Sequence, residues 1–315
     1  MTAPKIFIDG AEGTTGLMIA NLLQPLIDAG KIERISIADR KDKEQRRAAY
    51  EAADLTVLCL PDGAAREAIT LMQGTKTRVL DASSAHRIEK GWVYGLPELT
   101  AAQPELIRNA KFVSNPGCFA TGAVSLLRPL IDAGLLDKKE CVTLMGVSGY
   151  SAGGKKAIAR HEENKNTAQI FSAVSLNTQH KHVAEIQKHA GLDTPPLFMP
   201  HVLDVPRGMM VTATFNHAAL KGSVDDVKAA YQNAYAKTPA INMHGKSSQR
   251  IDFSLFSDIN AQGAHAPPRD RLDIHVNGWE GKKGEGQVRV TALLDNLGKG
   301  AGTQAVQNIK LMLGL

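Results

Sequence analysis

Near the N-terminus the chain reads Gly10-x-x-Gly13-x-x-Gly16, directly after the apolar run Ile6–Asp9 and directly before the apolar-periodic stretch Leu17–Ala29. Strand, glycine turn and helix in that order form a constrained unit. Backbone N–H groups and the positive end of the helix dipole converge on one point, where a pyrophosphate can sit. The spacing departs from G-x-G-x-x-G, so the weight falls on its surroundings. Strand-like runs follow at Ile32–Ile37, Leu55–Leu60, Arg78–Asp81 and Phe112–Asn115, with helical stretches at Gln45–Ala53 and Gly63–Met72. Such alternation predicts a parallel sheet covered by helices on both faces, the topology a dinucleotide site requires. Gly10, Glu12, Gly13, Thr14, Thr15 and Gly16 are the cofactor-binding candidates of this turn. Asp39 and Arg40 follow the second strand. A carboxylate there suits a free ribose hydroxyl and an arginine suits a 2′-phosphate, so the residues alone leave NAD and NADP both open.

Beyond Cys118 the texture changes. Thr121–Ala133 is helical, Gly149–Gly154 reads as a glycine-rich loop, and strands are predicted at Val142–Val147, Leu197–Met199, Met209–Phe215, Arg271–Val276 and Gln287–Leu294. Met210–Phe215 alternates with period two, as an antiparallel sheet with one wet face does. The 315 residues thus divide into an α/β domain, 1–117 completed by a C-terminal helix over 296–315, and an α+β domain, 118–295. The net charge of +5 is spread thinly, with no basic block to hold nucleic acid, although a mild positive field suits a small anionic substrate. No run of 18 apolar residues occurs, so no membrane partner is expected. Three scattered cysteines suit neither a disulfide framework nor a thiolate metal site, and a cytoplasmic location is expected.

Of these cysteines, Cys59 and Cys141 lie in strand-like apolar runs and read as buried core residues. Cys118 differs: Ser114-Asn115-Pro116-Gly117-Cys118 sets it after a strand, behind a sharp turn, at a helix start. The helix dipole there favours the thiolate, hence a nucleophile. His180 and His182 flank Lys181 near another helix start, with Glu185 one turn on, and a histidine is the usual acid–base partner of a cysteine. No accompanying ligands make this pair a zinc site, and no metal is expected. Arg87 and Arg207 lie in polar turns, where their guanidinium groups suit phosphate or carboxylate.

Several segments then fall into one ordered pattern. It comprises the glycine opening, Asp81-x-Ser83-Ser84-x-x-Arg87, Tyr94-Gly95-Leu96-Pro97-Glu98, Ser114-Asn115-Pro116-Gly117-Cys118 and Gly146-Val147-Ser148-Gly149 with Gly153. It continues with His180-Lys181-His182-x-x-Glu185-Ile186, Pro200-His201 with Pro206-Arg207-Gly208, and Asp295-Asn296-Leu297-x-Lys299-Gly300-Ala301. The set, spanning residues 6 to 301, resembles the N-acetyl-γ-glutamyl-phosphate reductases in their shorter form, with Lys181 where the pattern has arginine.

The resemblance implies a Rossmann domain interrupted by an α+β catalytic domain, as in aspartate-semialdehyde and glyceraldehyde-3-phosphate dehydrogenases. It also implies reduction of an acyl phosphate by NADP(H) in arginine biosynthesis, through a thioester on Cys118, with release of inorganic phosphate. His180, or else His182, would be the acid. Arg40 would meet the 2′-phosphate, with Asp39 turned away. Ser148 and Gly149 would wall the nicotinamide, and Asn296 would meet its carboxamide. Arg87 would hold the phosphate and Arg207 the substrate carboxylate, while the backbone N–H of Cys118 and the side-chain amide of Asn115, nearest in sequence, are the candidates for the oxyanion. A homo-oligomer, dimer or tetramer, is expected. The alternatives are an aspartate-semialdehyde dehydrogenase, a non-catalytic dinucleotide sensor, and a cysteine hydrolase with an accidental glycine turn.

Overall fold

Contacts divide the chain into two units: Met1–Pro97 with Ala102–Pro116 and Ala301–Leu315, and Glu98–Ala101 with Gly117–Gly300. The computed structural model describes residues 2–163, 171–244, 250–251, 253–263, 266–281 and 285–315. Among these, no helix is long and apolar enough to cross a membrane.

The first unit runs β1 (Lys5–Asp9), α1 (Thr14–Asp28), β2 (Glu33–Ile35), α2 (Lys43–Ala52), β3 (Leu55–Leu58), α3 (Asp62–Leu71), β4 (Arg78–Asp81), β5 (Val93–Tyr94), α4 (Gln103–Asn109) and β6 (Phe112–Ser114). All six strands are parallel, in the order β2-β1-β3-β4-β6-β5. From β1 the chain turns outward to β2 and then back to β3, so the strand order reverses beside the C-terminal end of β1. That is where open α/β sheets bind ligands. Asp42 fixes the start of α2 by accepting from the N–H groups of Glu44 at 2.8 Å and Gln45 at 3.2 Å. Helix α1 begins at Thr14, three residues before the expected start at Leu17, because Gly13 serves as its N-cap and accepts from Leu17 N at 2.8 Å.

The second unit contains α5 (Cys118–Asp132), β7 (Thr143–Gly149), α6 (Gly154–Glu163), β8 (Phe171–Ala173), α7 (His182–Ala190), β9 (Leu197–Leu203), β10 (Met209–Asn216), α8 (Val224–Tyr235), β11 (Ile241–His244), α9 (Ser257–Ala261), β12 (Leu272–Glu280) and β13 (Gly286–Leu294). Its seven strands order as β11-β12-β13-β10-β7-β9-β8, a mixed sheet. Eleven residues of α5 are buried, and six of them, Phe119, Ala120, Ala123, Leu126, Leu127 and Leu130, join Leu144, Val211, Ile274, Val290 and the tyrosines of α8 in one core. The stretch expected as a loop over Gly149–Gly154 is instead a strand end, a short turn over Tyr150–Gly153 and the start of α6. Cys141 is exposed, a correction to its expected burial, because it lies in the turn before β7.

The closing helix α10 (Thr303–Leu313) packs Ala305, Val306, Ile309 and Met312 against Ile6, Ile8, Val57 and Leu80 of the first unit. It starts seven residues later than expected, at Thr303 instead of Asn296. The intervening residues form a wide π-type turn, Gly298–Gly302, and those up to Gly300 stay in the second unit. Two side-chain anchors explain this. Lys299 Nζ donates to Glu98 Oε1 at 2.7 Å in a buried ion pair, which also draws Glu98–Ala101 into the second unit. Asp295 forms the other anchor.

Asp295 and Arg207 are both fully buried. Arg207 Nε donates to Asp295 Oδ1 at 3.0 Å, Nη2 donates to Oδ2, and Nη1 donates to the Ala266 carbonyl. The same carboxylate accepts the N–H groups of Arg269 at 2.8 Å and Leu297 at 3.1 Å. Arg207 is therefore not the substrate clamp it was expected to be. Its guanidinium has no exposed face and is committed to a bidentate internal partner. Removing it strands a buried charge, so Arg207→Met should cost about 3–5 kcal/mol. A drop in the urea-unfolding midpoint checks this, whereas an unmoved midpoint with a raised substrate KM would restore the clamp.

Candidate active site

Cys118 is the first residue of α5, half-buried, with Gly117 as N-cap. Two contacts hold the turn before it. Gly117 N–H donates to Glu185 Oε1 at 2.8 Å, and the Gly117 carbonyl accepts from Thr121 N at 2.8 Å. Glu185 is buried and comes from α7, so a second helix sets the backbone that presents the cysteine. Gly300 closes the other side. A Cβ there would lie 2.8 Å from Cys118 Cβ and 3.2 Å from its Cα, so only glycine permits this approach. The helix dipole favours a thiolate at this position. Cys59 contrasts with it: burial, with the carboxylates of Asp81 and Asp9 adding to the effect, pushes its thiol up to about 12.

His180 and His182 both meet Phe119, the residue after Cys118, edge to face at 6.2 and 6.0 Å between ring centroids. His182 N–H donates to His180 Nδ1 at 3.2 Å, so the neutral His180 ring carries its proton on Nε2. Burial holds His180 below the ordinary histidine value, Lys181 adds to this and Glu185 opposes it. His180 lines a cavity of about 470 Å³ with Phe119, Tyr150, Lys156, Arg160 and His161. His182 is buried at the start of α7 and does not line that cavity; its Nε2 lies 4.0 Å from Glu185 Oε2.

Ser148, Gly149 and Asn296 all belong to the network around Arg207. Ser148 is buried, its hydroxyl donating to the Gly149 carbonyl at 3.0 Å, and Gly149 N–H donates to the Gly208 carbonyl at 2.8 Å. The Asn296 amide accepts from Gly208 N at 3.0 Å and donates to Ser151 Oγ at 3.0 Å.

In the first unit the glycine turn lies at the end of β1. Gly10 has φ +89°, and a Cβ there would approach the Cys59 carbonyl oxygen to 2.4 Å. Gly13 N–H returns to the Gly10 carbonyl at 3.0 Å, and Thr14, Thr15 and Gly16 form the first turn of α1. A cleft of about 150 Å³ opens beside it, lined among others by Gly10, Ala11, Glu12, Arg34, Ser36 and Arg40. Arg40 pairs with Glu12. Asp39 Oδ1 accepts from Lys41 N at 2.8 Å, and Asp39 does not line the cleft. A close-walled glycine turn, a helix start and two arginines fit a phosphorylated dinucleotide. Arg87 and Asn115 are also held in this unit. Arg87 Nε donates to the Asn115 carbonyl at 3.0 Å, while the Asn115 amide donates to Ala301 O at 3.1 Å and accepts from Asn308 Nδ2 at 3.0 Å.

Sequence reasoning missed Arg34, Lys156, Arg160, His161 and Asp295. The last lay inside a quoted motif without a role. Lys156, Arg160 and His161 went unseen because α6 was not recognised as a helix, so its i, i+4 spacing was never applied.

Two family models match the chain: "Semialdehyde dehydrogenase, NAD binding domain" over residues 32–109 and "Semialdehyde dehydrogenase, dimerisation domain" over 118–296. N-acetyl-gamma-glutamyl-phosphate reductase 2 of Pseudomonas putida is 41% identical, covering 100% of this chain and 98% of its own. The Brucella anthropi N-acetyl-gamma-glutamyl-phosphate reductase is 41% identical, covering 99% of each. Among solved structures, aspartate semialdehyde dehydrogenase II of Vibrio cholerae superposes with a TM-score of 0.73 at 15% identity, over 100% of this chain and 99% of its own, a likeness of fold. The chain thus belongs to the semialdehyde dehydrogenase family, within its N-acetyl-γ-glutamyl-phosphate reductase branch.

Proposed function

We propose that this protein reduces N-acetyl-γ-glutamyl phosphate to N-acetyl-L-glutamate 5-semialdehyde with NADPH, in arginine biosynthesis, through a thioester on Cys118. The observation that carries this reading is a cysteine at a helix start, its turn fixed by Glu185 of α7, with His180 of the segment leading into α7 meeting Phe119, the residue after the cysteine. The Cys118 thiolate attacks the acyl carbon, the bond from that carbon to the phosphate oxygen breaks, and inorganic phosphate leaves. NADPH, when bound, supplies the hydride that turns the thioester into the aldehyde. The oxyanion formed on the way meets the Nε2–H of His180, and as the aldehyde forms the thiolate is released. Arg87 is assigned to the phosphate.

Burial disfavours the charged ring, so His180 is assigned the role of a neutral hydrogen-bond donor. For the dinucleotide, Arg34 and Arg40 line the cleft while Asp39 is tied to its own loop, which favours a 2′-phosphate and so NADP(H). Self-association is assigned to the open face of the second sheet, where exposed Met145 lies opposite exposed Met199 across β7 and β9, with exposed Leu197 two residues along β9 and Phe171 of β8 farther along, stacked on His201. That apolar strip is suited to a second copy of the chain in a dimer or tetramer. Three cysteines scattered through the chain accord with the cytoplasm.

Phosphate-dependent NADPH formation from N-acetyl-L-glutamate 5-semialdehyde, followed by absorbance and lost in Cys118→Ser, tests the reaction; turnover of aspartate semialdehyde alone would overturn it. His180→Ala should lower kcat about 10²–10³-fold, the size expected for a lost oxyanion donor, and His180→Gln, which keeps an N–H, should lose less. Because the neutral ring is the active form, kcat should hold as pH falls through 6.5, the ordinary histidine value, and decline only below it. A decline on raising pH above that value would identify imidazolium as the acid. Arg40→Gln should raise KM for NADPH about 10–100-fold, the size of a lost charged hydrogen bond, and leave KM for NADH little changed.

A further inference from the structure

Two consecutive residues of α2 hold two different walls of the dinucleotide cleft. Residues next to each other on a helix point about 100° apart, so Gln45 and Arg46 reach separate neighbours from one helical turn. Arg46 turns inward to β1. Its Nε and Nη2 donate to Asp9 Oδ2 at 3.1 and 2.9 Å, and Tyr50, one turn on, donates its hydroxyl to the same oxygen. All three residues are buried and Asp9 directly precedes Gly10, so this cluster fixes the helix against the start of the glycine turn. Gln45 turns to the loop between β2 and α2. Its Oε1 accepts the N–H groups of Ala38 at 3.1 Å and Asp39 at 3.0 Å, while its Nε2 donates to Asp42 Oδ2 at 3.0 Å.

One side chain thus ties both ends of the loop to the helix that follows it. Within the loop the Asp39 carboxylate accepts from Lys41 N at 2.8 Å and the Asp39 carbonyl from Asp42 N at 3.2 Å, which directs the acid along its own backbone. Arg40, the next residue, lines the cleft and pairs with Glu12 of the glycine turn. Resting on the NADP(H) reading above, we infer that Gln45 is a positioning residue for cofactor choice: it keeps Asp39 turned onto the loop and Arg40 presented to the cleft. A carboxylate at this place suits a ribose 2′-hydroxyl and a guanidinium suits a 2′-phosphate. Without Gln45 the loop loses the N–H contacts that hold both residues, so the advantage of a phosphate falls and the acid can turn to a hydroxyl. Gln45 acts on the contrast between the two cofactors, because the glycine turn that serves the pyrophosphate of either is anchored through Asp9 and Arg46.

Calorimetric titration of the purified protein with NADP+ and with NAD+ tests this without turnover. Gln45→Ala should raise Kd for NADP+ about 3–10-fold, the size of one net hydrogen bond, and leave Kd for NAD+ unchanged or lower. Gln45→Met, which keeps the length and helix preference of the side chain but not its amide, should do the same. Arg40→Gln should raise Kd for NADP+ about 10–100-fold. In that background Gln45→Ala should add less than about twofold, since the group it positions is gone. Gln45→Ala weakening both dinucleotides equally, or neither, would overturn the inference. So would a Gln45→Met variant that binds NADP+ like the wild type, or losses from Gln45→Ala and Arg40→Gln that simply multiply. Wild-type NADP+ binding by Arg40→Gln would refute the 2′-phosphate reading itself, and the inference with it. A thermal midpoint matching the wild type separates lost positioning from lost folding.

Discussion

Asp295 is the residue on which the second unit's functional loops converge. Its carboxylate ties Arg207, Arg269 and Leu297 into one buried cluster, and Asn296 beside it takes Gly208 and Ser151. Segments 148–151, 205–208, 266–269 and 295–300 are thereby fixed to one another. A buried ion pair of this kind adds little net stability over a well-packed apolar pair, yet it is costly to break. What it contributes is one defined arrangement of loops. The π-type turn that brings Gly300 against Cys118 starts within this cluster, so the surroundings of Cys118 depend partly on the carboxylate of Asp295.

A similar economy governs the cysteine from the other side. Glu185 directs one carboxylate oxygen at the N–H of Gly117 and so fixes the turn that presents the thiol. The histidine segment just before α7 is shaped by the same helix. With the His182 N–H directed at His180 Nδ1, protonation of that nitrogen would set two donors against each other, and burial opposes the charge as well. Backbone geometry and desolvation thus act in the same direction on one ring.

Much of the first unit was legible in the sequence because its signals are local. Strand, glycine turn and helix lie within about twenty-five residues, and β1, buried beyond its exposed Lys5, and the fully buried β3 read as apolar runs. Cys118 was legible for the same reason, since proline, glycine and cysteine in succession announce a turn into a helix. The second unit was harder. Arg207 and Asp295 are 88 residues apart, and nothing near Arg207 tells a guanidinium facing solvent from one sealed on a carboxylate. Glycines at 149, 153 and 154 read as a loop and concealed α6, although Gly154 begins that helix with a positive φ of 73°. Helix α8 escaped notice despite its Ser223 and Asp226 capping box, a signal present in the residues but not sought.

The three thiols stand in three environments: Cys59 is held protonated by burial and two carboxylates, Cys118 is half-covered at a helix start, and Cys141 lies open on a turn. Counting reactive thiols in the native protein therefore does not count active sites. A reagent limited by access would find Cys141 first and one limited by ionisation would find Cys118, while Cys59 would answer only after unfolding. A faithful titration of catalytic centres calls for a background in which Cys141 has been replaced, and in that background the difference between native and unfolded thiol counts becomes a direct gauge of how much of the sample is folded.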